Sequence, residues 1–141
     1  MLVSDVKDLI KSLNIFDNVN YYCGILDNKK EKSLGFYKED SNEETINING
    51  LPLSIKGKQI QILIHWNKNY NETEQAAISL YNALQNFNKT IKSNGGYSFK
   101  NYKIYYLDLL DNEPLDYKKD PVTDTGVFQQ GIRFRLIYVE D

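Results

Sequence analysis

The chain has 141 residues, of which 41% are apolar and 26% charged, and it carries a net charge of −2. Those values predict one globular domain with a single core and exclude a chain that is disordered throughout. The balance of 17 basic against 19 acidic residues argues against a dedicated duplex-DNA binder, which needs a basic excess to displace counterions.

Cys23 is the lone cysteine, so no intrachain disulfide is expected, in keeping with a reducing compartment. The first five residues lack the basic start and apolar run of a signal peptide. No apolar run approaches the ~20 residues needed to span a bilayer. The expectation is a soluble protein made in the cytoplasm, with no membrane partner.

Leu2, Val6, Leu9, Ile10 and Leu13 recur at helical spacing, with Asp5, Lys7, Asp8, Lys11 and Ser12 opposite them. This predicts an amphipathic helix over residues 2–13, left at Asn14 and the Asp17-Asn18 pair. Residues 19–26 are rich in tyrosine and aliphatics and predict a strand. Residues 27–31 predict a polar hairpin loop, and 33–37 its return strand. Residues 38–45 are acidic and Asn-rich and predict a solvated loop. Ile46, Ile48 and Leu51 suggest a short strand ended by Gly50 and Pro52.

Residues 58–66 carry the strongest strand pattern. Ile60, Ile62, Ile64 and Trp66 share one fully apolar face, which should meet a helix. Gln59, Gln61, Leu63 and His65 share the other, which should be partly solvated or meet another chain. A second helix is predicted over about residues 72–92. Asn71 suits the N-cap, and Glu74 holds the capping-box position. Ala77, Leu80, Leu84, Phe87 and Ile91 form its apolar stripe. Glu72 and Glu74 suit the positive end of the helix dipole, and Lys89 and Lys92 the negative end. Asn94-Gly95-Gly96 stops the helix.

Residues 102–110 predict another strand. Residues 111–126 hold Pro114, Pro121 and several aspartates and predict a long loop, a kind that is usually functional or disordered. Residues 127–139 predict a final long strand. Helices segregated on one face of a mostly antiparallel sheet make an α+β two-layer sandwich. A single α+β domain over residues 1–141 follows, with two main helices packed on one face.

The residues offer little chemistry. His65 is the lone histidine and lies beside a core tryptophan, so a structural role is the simpler reading. Cys23 has no neighbouring base in sequence, so a buried structural cysteine is expected. Asp108, Asp111, Glu113 and Asp116 could bind a divalent cation or act as an acid/base pair. Their spacing does not match an EF-hand, and a solvated loop is the simpler reading. Gly95-Gly96 follows a helix instead of opening one, so it does not form a phosphate loop. No cofactor, metal or catalytic residue is implied.

Tyr21, Tyr22, Tyr37, Tyr102, Tyr105, Tyr106 and Tyr138 fall on predicted strands. Exposed aromatics beside arginines suit protein interfaces, and aromatics also stack bases in single-stranded nucleic-acid binders. Ordinary strand propensity explains them equally well. Arg133 and Arg135 are the only arginines. They share one face of the last strand, which hints that this face contacts another chain.

At Ile62-Leu63-Ile64-His65-Trp66-Asn67-Lys68-Asn69 and the acidic capped helix after it, the chain resembles a family of small phage virion proteins. These are minor capsid proteins related to the tail terminators of long-tailed phages. The resemblance continues at Asn112-Glu113-Pro114-Leu115-Asp116, at Asp124-Thr125-Gly126-Val127-Phe128 and at the first helix, through Leu9, Ile10 and Leu13. By element order it covers nearly the whole chain. Residues 46–58 and 116–124 depart from the family pattern and are candidate subunit-contact loops.

The resemblance implies a non-enzymatic structural protein of a virion or tail-like particle, assembled in a bacterial host's cytoplasm. It would cap the tail tube as a homohexameric ring, end tube growth and form the head–tail junction. The implied partners are further copies of itself, the tube protein, and a sheath or head connector protein; no sequence-specific nucleic acid is implied. The residues expected at such contacts, from the arginine face, the strand tyrosines and the 111–126 segment, are Arg133, Arg135, Tyr105, Asp111, Glu113 and Asp116. Two alternatives stay open: a head-side connector protein, and a single-stranded nucleic-acid-binding α+β domain. A small hydrolase using the carboxylates between Asp108 and Asp116 is a weaker third.

Overall fold

The computed structural model describes residues 1–24, 32–39, 44–47, 54–66, 70–118 and 128–140. Helix α1 spans Val3–Ser12. Strands β1 (Asn20–Cys23), β2 (Lys32–Lys38), β3 (Glu44–Asn47) and β4 (Ser54–Trp66) follow. Helix α2 is Tyr70–Ser93, and β5 (Tyr97–Phe99), β6 (Tyr102–Leu109), β7 (Leu115–Lys118) and β8 (Phe128–Glu140) end the chain. The protein is an α+β fold with a mostly antiparallel sheet, as the element order predicts.

Two 13-residue strands, β4 and β8, form the antiparallel centre. Each outer edge of this pair carries two short strands placed end to end. On β4, β2 pairs the stretch Ile60 to Trp66 and β3 pairs Ser54 to Gly57. On β8, β6 pairs the C-terminal half and β7 the N-terminal half. The path across the sheet is β1-β2-β4-β8-β6-β5.

Both helices lie on one face because period-2 strands put their apolar residues there. Val6, Leu9 and Ile10 of α1 and Ala77, Leu80, Leu84 and Ile91 of α2 are essentially inaccessible. They share one core with Leu34, Phe36, Ile60, Ile62, Ile64, Ile132, Phe134, Leu136 and Tyr138. Phe16 closes one corner by packing on Trp66, with ring centroids 4.9 Å apart. The other face differs along its length. Gln59 and Gln61 are half-buried, whereas Leu63 and His65 are buried. The expectation of a partly solvated face therefore holds only toward Gln59 and Gln61.

Four local expectations need correction. β1 and β2 are parallel, with Asn20 opposite Ser33, so they are not a hairpin. β1 has only four residues, and the chain needs a return of only roughly 13 Å to run parallel. Cys23 is exposed, because β1 is an edge strand with an exposed residue at each end. Helix α2 begins at Tyr70, so Asn71 sits inside its first turn and is not the cap. Thr73 Oγ1 donates to the Trp66 carbonyl at 2.8 Å, which ties the first turn of α2 to the end of β4. Finally, β7 lies within the predicted loop 111–126 because residues 115–118 pair with the start of β8. Smaller differences are β5, which pairs β6 across a turn at Lys100 (φ 53°), and the ends of the predicted loop 38–45, which belong to β2 and β3.

The end of α2 is as predicted. Gly95 and Gly96 take φ of 71° and 135°, which L side chains rarely adopt. The Gly96 N–H donates to the Ile91 carbonyl at 2.9 Å, closing the last turn. The polar stretch 27–31, Ile48, Leu51, Gly50, Pro52, the turn 67–69 and residues 119–127 with Pro121 lie outside the described residues.

Candidate functional site

The segment joining β6 to β7 gathers most of the polar chemistry. Asp111 belongs to it, and two elements grip that residue. The Arg133 guanidinium donates twice to the Asp111 carboxylate, at 2.9 Å from Nε and 2.7 Å from Nη2. This two-bond fork is the geometry that favours arginine over lysine. The guanidinium beside it holds the Asp111 carboxyl below its usual range, and the Arg133 pKa is raised in turn. From the helix side, the Tyr81 hydroxyl donates to the Asp111 carbonyl at 2.7 Å.

Arg133 lies on the sheet face turned away from the helices, as its register with Gln61 shows. Glu39 approaches it at 3.9 Å, and Asp108 approaches Arg135 at the same distance. Both arginines and both outer carboxylates are partly exposed. The result is a polar stripe of alternating charge across β4, β8 and β6, crossed by Gln59 and Gln61.

A cleft of about 420 Å³ opens on the helix side of the same segment. Tyr70, Glu74 and Ile78 of α2 line one wall, and Glu113, Pro114, Leu115, Asp116 and Gln130 line the other. Asp116 and Gln130 face each other across β7 and β8. Gln130 shares the inward parity of Ile132 and Phe134, and it is almost wholly buried. Its amide donates to Asp116 Oδ1. The Tyr70 hydroxyl donates to the same oxygen at 2.8 Å. That carboxylate, with Glu74 nearby, pushes the Tyr70 pKa up to about 12, so the phenol stays protonated and donates across the neutral range. The cleft is thus acidic in charge and part apolar in shape, with Ile78 and Leu115 each about half exposed.

The remaining predicted contact residue, Tyr105, lies toward the other end of β6. Lys103 Nζ sits 5.5 Å from its ring centroid. A β-bulge separates Ile104 from Tyr106, and Lys92 of α2 lies over the Tyr106 ring at 5.5 Å. The six predicted residues therefore occupy three places. Arg133, Arg135 and Asp111 share the outer sheet face, Glu113 and Asp116 line the cleft, and Tyr105 stands apart. Tyr70, Glu74, Ile78 and Gln130 escape a reading based on the loop alone. The signal for Gln130 was present: it is a polar residue at the same parity as the apolar Ile132, Phe134, Leu136 and Tyr138.

Among the described residues, no group of three or more His, Cys, Asp or Glu side chains is placed to hold a metal ion. No described helix is long and apolar enough to cross a membrane. No protein-family model and no curated protein matches this sequence.

Proposed function

We propose that the chain is a structural subunit of a phage virion or tail-like particle. In this reading it caps the end of the tail tube as a ring of identical copies, in the host cytoplasm. It ends tube growth there and presents a surface to a head connector or sheath protein. The motif resemblance supplies the particular role. The observation that carries a recognition role is the pinned segment 110–116. Tyr81 and Arg133 grip it at Asp111, and Tyr70 and Gln130 grip it at Asp116. Four tethers from both sides of the sheet leave Leu110 and Leu115 exposed on a preordered rim. A surface ordered before binding loses less entropy when it docks, and exposed apolar side chains rimmed by charge suit protein partners.

The test is mass by light scattering, with negative-stain imaging of the protein beside purified tails or tubes. A ring of about six copies, or density at one tube end only, is the expected result. Density on head portals instead of tubes would assign the chain to the head side of the junction.

A second reading rests on the lysine–tyrosine contacts at Tyr105 and Tyr106, which resemble a base-stacking surface with cations to hand. A persistent monomer that ignores tubes and binds single-stranded oligonucleotides at physiological salt would replace the first reading with this one.

A further inference from the structure

Helix α2 has carboxylates gathered at its start and lysines at its other end, and neither group is offset by an ion pair among the described residues. At its start, the cleft gathers the carboxyl groups of Glu74, Glu113 and Asp116, with no cation among its described lining residues. Tyr70 and Gln130 satisfy Asp116 through hydrogen bonds without offsetting its charge. At its other end, Lys89, Lys92 and Lys103 are exposed. None of the three forms an ion pair among the described residues. Tyr106, which is 46% exposed, lies under Lys92.

The contrast with nearby lysines is informative. Lys100 is held by Asp5 at 2.9 Å and Asp8 at 2.8 Å, and Lys56 lies 3.8 Å from Glu140. Lysines close to carboxylates on this surface are paired, so the group at the end of α2, which has no ion pair among the described residues, stands out. Glu74 and Lys92 are eighteen positions apart, which is roughly 27 Å along the helix axis. That exceeds the ~8 Å screening length at physiological salt, so the two ends do not neutralise each other within one molecule. Each end is complementary to the other end of a second copy.

Building on the ring reading above, we infer that the acidic cleft of one copy receives the lysine–tyrosine end of α2 from the next copy. The contact is between different patches, so it repeats head to tail and closes into a ring when the rotation permits. Charge sets orientation and partner choice, while exposed ion pairs alone contribute little affinity. The apolar share comes from Ile78 and Leu115 on one side and Tyr106 on the other, each 45–46% exposed in the single chain. A lysine suits the cleft, since its aliphatic stem packs on Ile78 and Leu115 while its ammonium meets the carboxylates.

A charge-exchange experiment tests this. One variant carries Glu74→Lys with Glu113→Lys, and the other carries Lys89→Glu with Lys92→Glu. All four positions are exposed or half-exposed, and lysine and glutamate are both good helix formers. Sedimentation velocity is run on the wild type, on each variant alone, and on an equimolar mixture. Wild type should associate, and each variant alone should associate roughly tenfold more weakly or worse, because its two patches repel. The mixture should recover association at one-to-one stoichiometry, since each variant supplies the patch the other lacks. That recovery also shows that both variants fold.

Variants that associate as well as wild type would overturn the contact and leave the ring reading intact. A wild type that is monomeric in solution but sits at tube ends would do the same. Recovery at a mass of only two copies would keep the contact and overturn the ring, because an antiparallel pair can satisfy both patches at once. Loss of oligonucleotide binding in Lys89→Glu/Lys92→Glu, with association unchanged, would assign the basic end to nucleic acid and overturn the inference.

Discussion

The two faces of the sheet are written by the same strands and do different work. Along β4, Ile60, Ile62 and Ile64 are inaccessible, while Gln59 and Gln61, on either side of Ile60, stay half-buried. Along β8, Phe134 is inaccessible, while Arg133 and Arg135 on either side of it keep about a third of their side-chain surface exposed. The helix face holds the fold together by area removed from water. The outer face is organised by hydrogen bonds and ion pairs, which contribute less to stability and more to the shape of the surface. Along these stretches the closed core and the polar outer surface are thus separated by one residue of strand register, since a side-chain period of two leaves no intermediate position.

The largest expected effect tests that separation directly. Ile62→Ala should cost about 2–5 kcal/mol, because it opens a cavity in a closed core. Its neighbour Gln61→Ala should cost no more than about 0.5 kcal/mol. Urea unfolding midpoints for the two variants settle the matter, and similar losses would show that the outer face is load-carrying too.

A smaller effect is expected at the fork between Arg133 and Asp111. A double-mutant cycle with Arg133→Gln and Asp111→Asn should give a coupling of about 0.5–1 kcal/mol, at the upper end for partly exposed pairs because two bonds form. Zero coupling would mean that Tyr81, with Tyr70 and Gln130 at Asp116, positions the segment without the fork. In that case Tyr81→Phe should loosen amide-exchange protection there, whereas the arginine variant should not.

The gentlest perturbation is pH. The Arg133 guanidinium lowers the Asp111 carboxyl. Burial alone would raise Asp5, but bonds from Lys100, the Leu2 N–H and Tyr102 outweigh it, and Lys100 likewise lowers Asp8. A carboxyl whose folded pKa lies below its unfolded value, ~3.9 for aspartate, adds stability above that value and loses it as pH falls through the folded one. Unfolding midpoints should therefore be level above about pH 5 and decline below about pH 4. Asp111→Asn should lower the plateau and flatten the decline. An unchanged decline would place the acid sensitivity wholly at Asp5 and Asp8.

Much of this molecule can be read from residue spacing. The apolar stripe of α2, its glycine stop, the alternation along β4 and β8 and the α+β class all follow from local periodicity, which is a property of neighbours in sequence. The α1 pattern also held, with its ends shifted by one residue to Val3–Ser12. Expectations failed where the deciding partner was distant. A polar stretch between two strands suggests a hairpin, yet which edge β1 joins depends on what β4 leaves open. A proline-bearing segment suggests a loop, yet residues 115–118 become β7 because β8 is longer than β6 and offers them an unpaired edge.

The candidate site divides in the same way. The sequence by itself marked Arg133, Arg135 and the carboxylates of the 111–116 segment as unusual, because arginine and clustered aspartate are chemically distinctive wherever they fall. Only the tertiary structure decided that Asp111 turns to one face of the sheet and Asp116 to the other. It likewise brought Tyr70, Glu74 and Gln130 to that second carboxylate. Those assignments depend on strand register and on where α2 crosses the sheet, and both are set by packing between residues far apart in the chain.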